Sequence, residues 1–181
     1  IPFLKGGKMK DVVILSGLRT AIGEYGGSLK SNAPTDLAAK VVHEALLRAQ
    51  IDPNEVDHLV FGNVIHGEAR DMYLARVACI NGGLPQHTAA LTVNRLCGSG
   101  LQAIISASQS ILLNDTLAAV AGGAESMSRA GYLLPALRWG QRMNGGVTID
   151  MMVGALTDPF DHVHMGITAE NIAEKWCIDR E

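Results

Sequence analysis

Apolar positions follow two rhythms along this chain. Short runs rich in β-branched residues alternate with longer amphipathic stretches. Asp11 to Ser16 (Asp-Val-Val-Ile-Leu-Ser) reads as a buried strand. Leu37, Val41, Ala45 and Ala49 recur every fourth residue, with Val42 and Leu46 beside them. That pattern predicts a helix lying on a sheet, capped at Thr35-Asp36 and running to about Gln50. Pro53 suits the first turn of a new segment. His58 to Ile65 reads as a second strand, Asp71 to Asn81 as a second helix, and Gly82-Gly83-Leu84-Pro85 as its stop. Ala89 to Asn94 is a third strand, Ser99 to Leu113 a third helix, and Leu117 to Ala121 a fourth strand.

Strands and helices alternating at this spacing imply βαβ units, right-handed crossovers and a mainly parallel sheet, hence the α/β class. Leu101, Ile104, Ile105, Ile111 and Leu112 spread over more than one face of the third helix. A helix of that kind is expected to be buried on several sides, as a central helix between two sheets. Beyond Val120 the rhythm weakens. Tyr132 to His164 carries scattered Pro, Gly, Trp and Met and reads as an insertion with little regular structure. Thr168 is placed to cap a last helix to about Ile178, with Glu170 near its positive end.

Composition narrows the function classes. The chain has 181 residues, 48% hydrophobic and 18% charged, which is enough apolar material for a globular core. Its mean hydropathy is +0.17 and its pI about 6.1. With a net charge of −3, it offers no basic footprint for a nucleic acid. No apolar run reaches membrane-spanning length, so no membrane partner is expected. Three cysteines at wide spacing do not make a disulfide framework and suit a reducing cytoplasm. His162 and His164 have no further ligands at zinc-like spacing, so no metal is expected. Gly6-Gly7-Lys8 lacks the other elements of a phosphate loop. Residues 1–8 precede Met9 and read as a tag or upstream extension, with Met9 as the natural start.

The chemistry concentrates at Cys97. A strand-like run enters it and a helix-like run leaves it, and Gly98-Ser99-Gly100 follows directly. A helix start presents unpartnered N–H groups and partial positive charge, and both favour a thiolate over a thiol. Glycines at the bend can adopt backbone angles closed to other residues and leave the thiol accessible. The N–H groups beside the sulfur could hold the oxyanion formed when a thiolate attacks a carbonyl. A buried, inert cysteine remains the other reading of the same residue. Cys79 falls in a helical apolar pattern and reads as core, and Cys177 has no partner nearby.

Val93-Asn94-Arg95-Leu96-Cys97-Gly98-Ser99-Gly100-Leu101-Gln102-Ala103 resembles the acyl-enzyme signature of the thiolases, most closely bacterial acetyl-CoA acetyltransferases and β-ketothiolases. Arg19-Thr20 with Gly23, Ala121 to Ser128, and His164-Met165-Gly166 with Thr168-Ala169-Glu170-Asn171 resemble other thiolase stretches in the same order. The resemblance runs from Lys10 to the end. It implies a thiolase-like layered fold, first half only, with residues 9–125 as the N-terminal half-domain and 126–181 as part of the loop domain. It implies that Cys97 is the acyl-accepting nucleophile, with its backbone N–H in an oxyanion hole. It also implies that Leu156, His164 and Met165 line the coenzyme A and acyl site; plain packing explains the two apolar residues nearly as well, and they could do both. The substrates implied are acetyl-CoA and short 3-oxoacyl-CoA esters, including those that feed polyhydroxyalkanoate synthesis, with no further cofactor. Homodimers or homotetramers are implied as the assembly.

Thiolases take two further catalytic groups, a Gly-His-Pro histidine and a second cysteine, from their second half. The remaining histidines and cysteines here do not match them. The chain alone is therefore expected to be inactive, with apolar surface left uncovered. The alternatives are a ketoacyl-synthase-like condensing enzyme, which usually has several serines around its cysteine, and a non-catalytic CoA-binding fragment.

Overall fold

The computed structural model describes residues 11–181, so the readings of Met9 and of residues 1–8 lie outside the described residues. The chain divides into two compact units, Ile1–Arg129 and Ala130–Glu181.

In the first unit, three parallel strands form a sheet in the order β2-β1-β3: β1 His58–Gly62, β2 Ala89–Val93 and β3 Ala119–Gly123. The register is even, with His58 opposite both Ala89 and Ala119. Helices α1 (Pro34–Ala49), α2 (Leu74–Asn81) and α3 (Ser99–Leu112) supply the other layers. Alternation along β1 sorts its side chains to two faces. Leu59 and Phe61 join Ala38, Val42 and Leu46 of α1 and Leu74, Ala78 and Cys79 of α2 in one buried cluster. Val60 joins Ala103 and Ala107 of α3 in the other. The result is a three-layer α/β/α sandwich, and the mainly parallel α/β expectation holds.

Several local expectations shift. Asp11 to Ser16 is not a strand: Val13, Ile14 and Leu15 are well exposed, and Ser16 Oγ donates to Ala45 O at 2.9 Å, beside α1. A β-branched run shows that a segment can pair, but not that it has a neighbour to pair with. The cap of α1 is Ala33 with Pro34 in the first turn, because Thr35 is buried and Asp36 already lies inside the helix. The second helix is split, with a 3-10 turn at Ala69–Tyr73 preceding α2. Helix α3 buries only Ser99, Ala103 and Ala107, leaving Leu101 65% exposed and Ile104 41% exposed. The expected central helix buried on several sides is thus a helix with one covered face, because only one sheet packs against it among the described residues.

The two ends of the sheet are tied differently. At the amino ends of the strands, Asp57 accepts from Thr116 Oγ1 and Leu117 N–H at 3.2 and 3.0 Å. At the carboxyl ends, Asn63 and Glu125 do the tying, as described below. Elsewhere Thr92 Oγ1 of β2 accepts from Ala75 N–H, satisfying a donor in the first turn of α2.

The second unit contains a two-stranded antiparallel ribbon, β4 Tyr132–Leu133 with β5 Ile149–Asp150, then α4 Met151–Ala155 and α5 Met165–Trp176. It has more regular structure than the weak rhythm predicted. None of its residues is fully buried, and Trp139, Phe160 and Trp176 stand largely exposed. No described helix is long and apolar enough to cross a membrane.

Candidate active site

The carboxyl ends of β1, β2 and β3 share one edge, the edge where open α/β sheets bind ligands. β2 leaves that edge at Val93 and the chain turns through Asn94 to Gly98 into α3. Cys97 stands in this turn, exposed, one residue before the N-cap Gly98. The sequence expectation of a reachable thiol at a strand-to-helix bend is met in its geometry.

Side chains brace the turn. Asn94 Oδ1 accepts from Leu96 N–H at 2.9 Å, an Asx-type turn. Leu96 adopts a left-handed backbone, φ 46°, costing about 1–2 kcal/mol for a residue with a side chain. Ser99 closes the loop: its Oγ donates to Leu96 O at 2.6 Å and accepts from Arg95 N–H at 2.8 Å. Arg95 in turn donates from Nη1 to Gln102 Oε1 at 2.7 Å, lying along the first turns of α3. The unusual backbone angle thus falls on Leu96. Gly98 has φ −89°, and a Cβ on Gly100 would meet nothing within 4 Å. The two glycines leave space rather than supply a special conformation.

Beneath the turn lies the end of β1. Asn63 N–H donates to Val93 O at 3.2 Å, and Asn63 Nδ2 donates to Ala124 O and to Glu125 Oε1, both at 3.0 Å. Glu125 also accepts from Val64 N–H at 2.9 Å and Ile65 N–H at 3.2 Å. Burial pushes the Glu125 carboxyl above the usual carboxylate range. The N–H bonds from Val64 and Ile65 and the nearby His66 oppose this, and Asp71 adds to it. Sequence reading did not single out Asn63, Asn94, Ser99 or Glu125 for these roles. Only Asn94 carried a local signal, an asparagine opening a turn.

Leu156, His164 and Met165 come together in the second unit. Met165 N–H donates to Leu156 O at 2.8 Å, and Thr157 and His164 form an antiparallel bridge, closing the loop between them. His164, not Thr168, is the cap of α5: its Nδ1 accepts from Gly166 N–H at 3.0 Å. All three residues are at least partly exposed. A separate cleft of about 440 Å³ is lined by Asp36, Glu68, Arg70 and Arg129 among others, and Cys97 is not part of it. Its charges satisfy one another: Arg129 pairs with Glu68 at 2.6 Å, and Arg70 pairs with Asp36 and with Glu68, both at 3.0 Å.

Fold and turn together define a class, an α/β protein that carries a thiol where a parallel strand bends into a helix. The chain belongs to the thiolase family, whose N-terminal domain profile matches residues 12–181. It is 63% identical to beta-ketothiolase BktB of Cupriavidus necator over 171 residues, spanning 94% of this chain and 43% of that one. An acetyl-CoA acetyltransferase of Syntrophomonas wolfei is 41% identical over 175 residues, or 95% and 44% of the two chains. The crystal structure of the Bacillus anthracis acetyl-CoA acetyltransferase superposes with a TM-score of 0.89 at 41% identity, covering 95% of this chain and 43% of that one. The chain therefore spans less than half the length of these relatives.

Proposed function

We propose that this chain is the acyl-accepting half of a β-ketothiolase, with Cys97 as the nucleophile and short 3-oxoacyl-CoA esters as substrates. The observation that carries the reading is the exposed Cys97 in a braced turn at the carboxyl edge of the parallel sheet. The identity to beta-ketothiolase BktB supports the substrate class.

In the synthetic direction, the Cys97 thiolate attacks the carbonyl carbon of an acyl-CoA. The C–S bond to CoA breaks, CoA leaves as its thiolate and takes a proton, and an acyl-cysteine remains. The α-carbon of acetyl-CoA, after losing a proton to a base, then attacks the acyl-cysteine. A 3-oxoacyl-CoA forms and the Cys97 thiolate is regenerated. The oxyanion of each tetrahedral intermediate needs N–H donors, and the Cys97 main chain at the start of α3 is the candidate on this chain. Leu156 and Met165 offer apolar contact, and His164 a polar one, for the CoA arm. The base and the second acid are not supplied by any histidine or cysteine assigned here, so the 181-residue chain by itself should not turn over acetoacetyl-CoA.

The test is peptide mapping after brief treatment with iodoacetamide at neutral pH, alongside incubation with acetyl-CoA. Cys97 should be alkylated faster than Cys177, with Cys79 protected, and acetyl-CoA should leave an acetyl thioester on Cys97. Equal, slow alkylation of all three cysteines, with no acetyl group captured, refutes the nucleophile and favours a non-catalytic fragment. Thiolysis of acetoacetyl-CoA by this chain, lost in Cys97→Ala, overturns the expectation of incompleteness.

A further inference from the structure

Resting on the reading of Cys97 as nucleophile, we propose that Glu125 is a positioning residue for it, acting through Asn63 and the carboxyl end of β1. Glu125 never touches the thiol. Its two oxygens gather Asn63 Nδ2, Val64 N–H and Ile65 N–H, so one carboxylate fixes the first three residues that leave β1.

Asn63 passes that order on. It is 1% exposed and reaches both neighbouring strands at this edge. Its N–H holds Val93 O, the last residue of β2 before the cysteine turn, and its Nδ2 holds Ala124 O, just after β3. Ala124 N–H donates back to Gly62 O at 3.0 Å. Gly62 meets Ser99, the residue that clasps the Cys97 turn from inside. The path from Glu125 to the turn therefore runs through hydrogen bonds and a backbone contact at each step.

A half-buried carboxylate, pushed above the usual carboxylate range by its partial burial, is a costly way to tie three groups together when strand pairing alone would hold a sheet. Asn63 Oδ1 is also buried without a partner, a second cost at the same place. Both costs sit on the edge that carries Cys97. The amino edge is tied by Asp57, which is exposed and whose hydrogen bonds hold it below its ordinary value. That asymmetry points to a role at the site beyond fastening the fold.

The test compares Cys97 alkylation by iodoacetamide across pH in the 181-residue chain and in its Glu125→Gln, Glu125→Asp and Asn63→Ala variants. Cys177 serves as the internal control and thermal melts report folding. Val42→Ala, in the core between α1 and α2, is the control for general loss of stability. If Glu125 positions the turn, Glu125→Gln and Asn63→Ala slow Cys97 about tenfold and move its pH–rate profile upward, because the loosened turn no longer keeps the sulfur beside the start of α3. Glu125→Asp recovers part of the rate, while Val42→Ala and the Cys177 rates are unaffected. Simple removal of a negative charge has the opposite sign, since it eases formation of a nearby thiolate and moves the profile downward.

An unmoved or downward profile in both Glu125→Gln and Asn63→Ala overturns the proposal. So does an equal upward shift in Val42→Ala. If Glu125→Gln fails to fold, the Glu125→Asp and Asn63→Ala profiles decide. A wild-type Cys97 no faster than Cys177 removes the nucleophile reading itself, and this inference with it.

Discussion

Gly62 lies directly against Ser99: a Cβ built on Gly62 would stand 2.7 Å from Ser99 Cβ and 2.8 Å from its carbonyl carbon. The strand that floors the site and the helix that follows Cys97 are in backbone contact there, and no side chain can intervene. Gly62→Ala sets two effects against each other. Restricting the unfolded chain stabilises by about 0.4–1 kcal/mol. Forcing apart two backbones that cannot yield costs about 1–3 kcal/mol. The clash wins, so urea titration should show net destabilisation of about 1–2 kcal/mol, together with slower alkylation of Cys97.

Ser99 is a clasp as well as a helix residue. Its hydroxyl bridges Leu96 O and Arg95 N–H across the turn that holds Leu96 in its left-handed conformation. Ser99→Ala frees the turn without changing the core. Leu96 O keeps the Ser99 N–H, so only Arg95 N–H loses its partner, which should cost about 1 kcal/mol. Amide hydrogen exchange at Arg95 should accelerate far more than at the centre of α3. Equal protection at both places in the variant would show that the clasp is not needed.

The βαβ rhythm was readable because it depends on local alternation. The three strands His58–Gly62, Ala89–Val93 and Ala119–Gly123 all fall within or against the runs that suggested them. The Asp11–Ser16 run failed because pairing is a property of two segments, and sequence shows only one. α3 looked many-sided because its apolar residues are spread around the helix, yet how many faces are covered depends on which layers are present. The location of Cys97 was legible as a strand meeting a helix. The supports at Asn63 and Glu125 were not, since they meet across 62 residues of chain, a separation that no local pattern encodes.

The amino edge of the sheet predicts an acid response. Hydrogen bonding from Leu117 N–H holds the Asp57 carboxyl below its ordinary value of 3.8; partial desolvation opposes it, and Thr116 and His87 add to the lowering. A depressed value means the folded state favours the carboxylate. Its contribution is therefore present above the unfolded value and is lost as pH falls through the folded one. Thermal melts should show the wild type losing stability below about pH 4. Asp57→Asn should start from a lower melting temperature at neutral pH and lose less of it on acidification. Parallel curves for the two proteins would remove Asp57 from the account.

At alkaline pH the relevant group is Cys79, fully buried on α2 among Leu59, Leu74 and Leu84. Burial raises its thiol above the ordinary 9.0, with Arg76 pulling weakly the other way. Here the folded state favours the protonated form. The contribution is complete below the unfolded value and drains away as pH rises through the folded one, because the unfolded chain can ionise and the core cannot. Cys79→Ala leaves a small void and should cost about 1–2 kcal/mol at pH 7, from lost transfer energy plus the cavity. It also removes the ionisable group. Urea titrations at pH 7 and pH 10 should therefore show the gap between wild type and Cys79→Ala narrowing at the higher pH. A gap that stays constant would mean that Cys79 reaches water in the folded chain, and an alkylating reagent would then label it without denaturant.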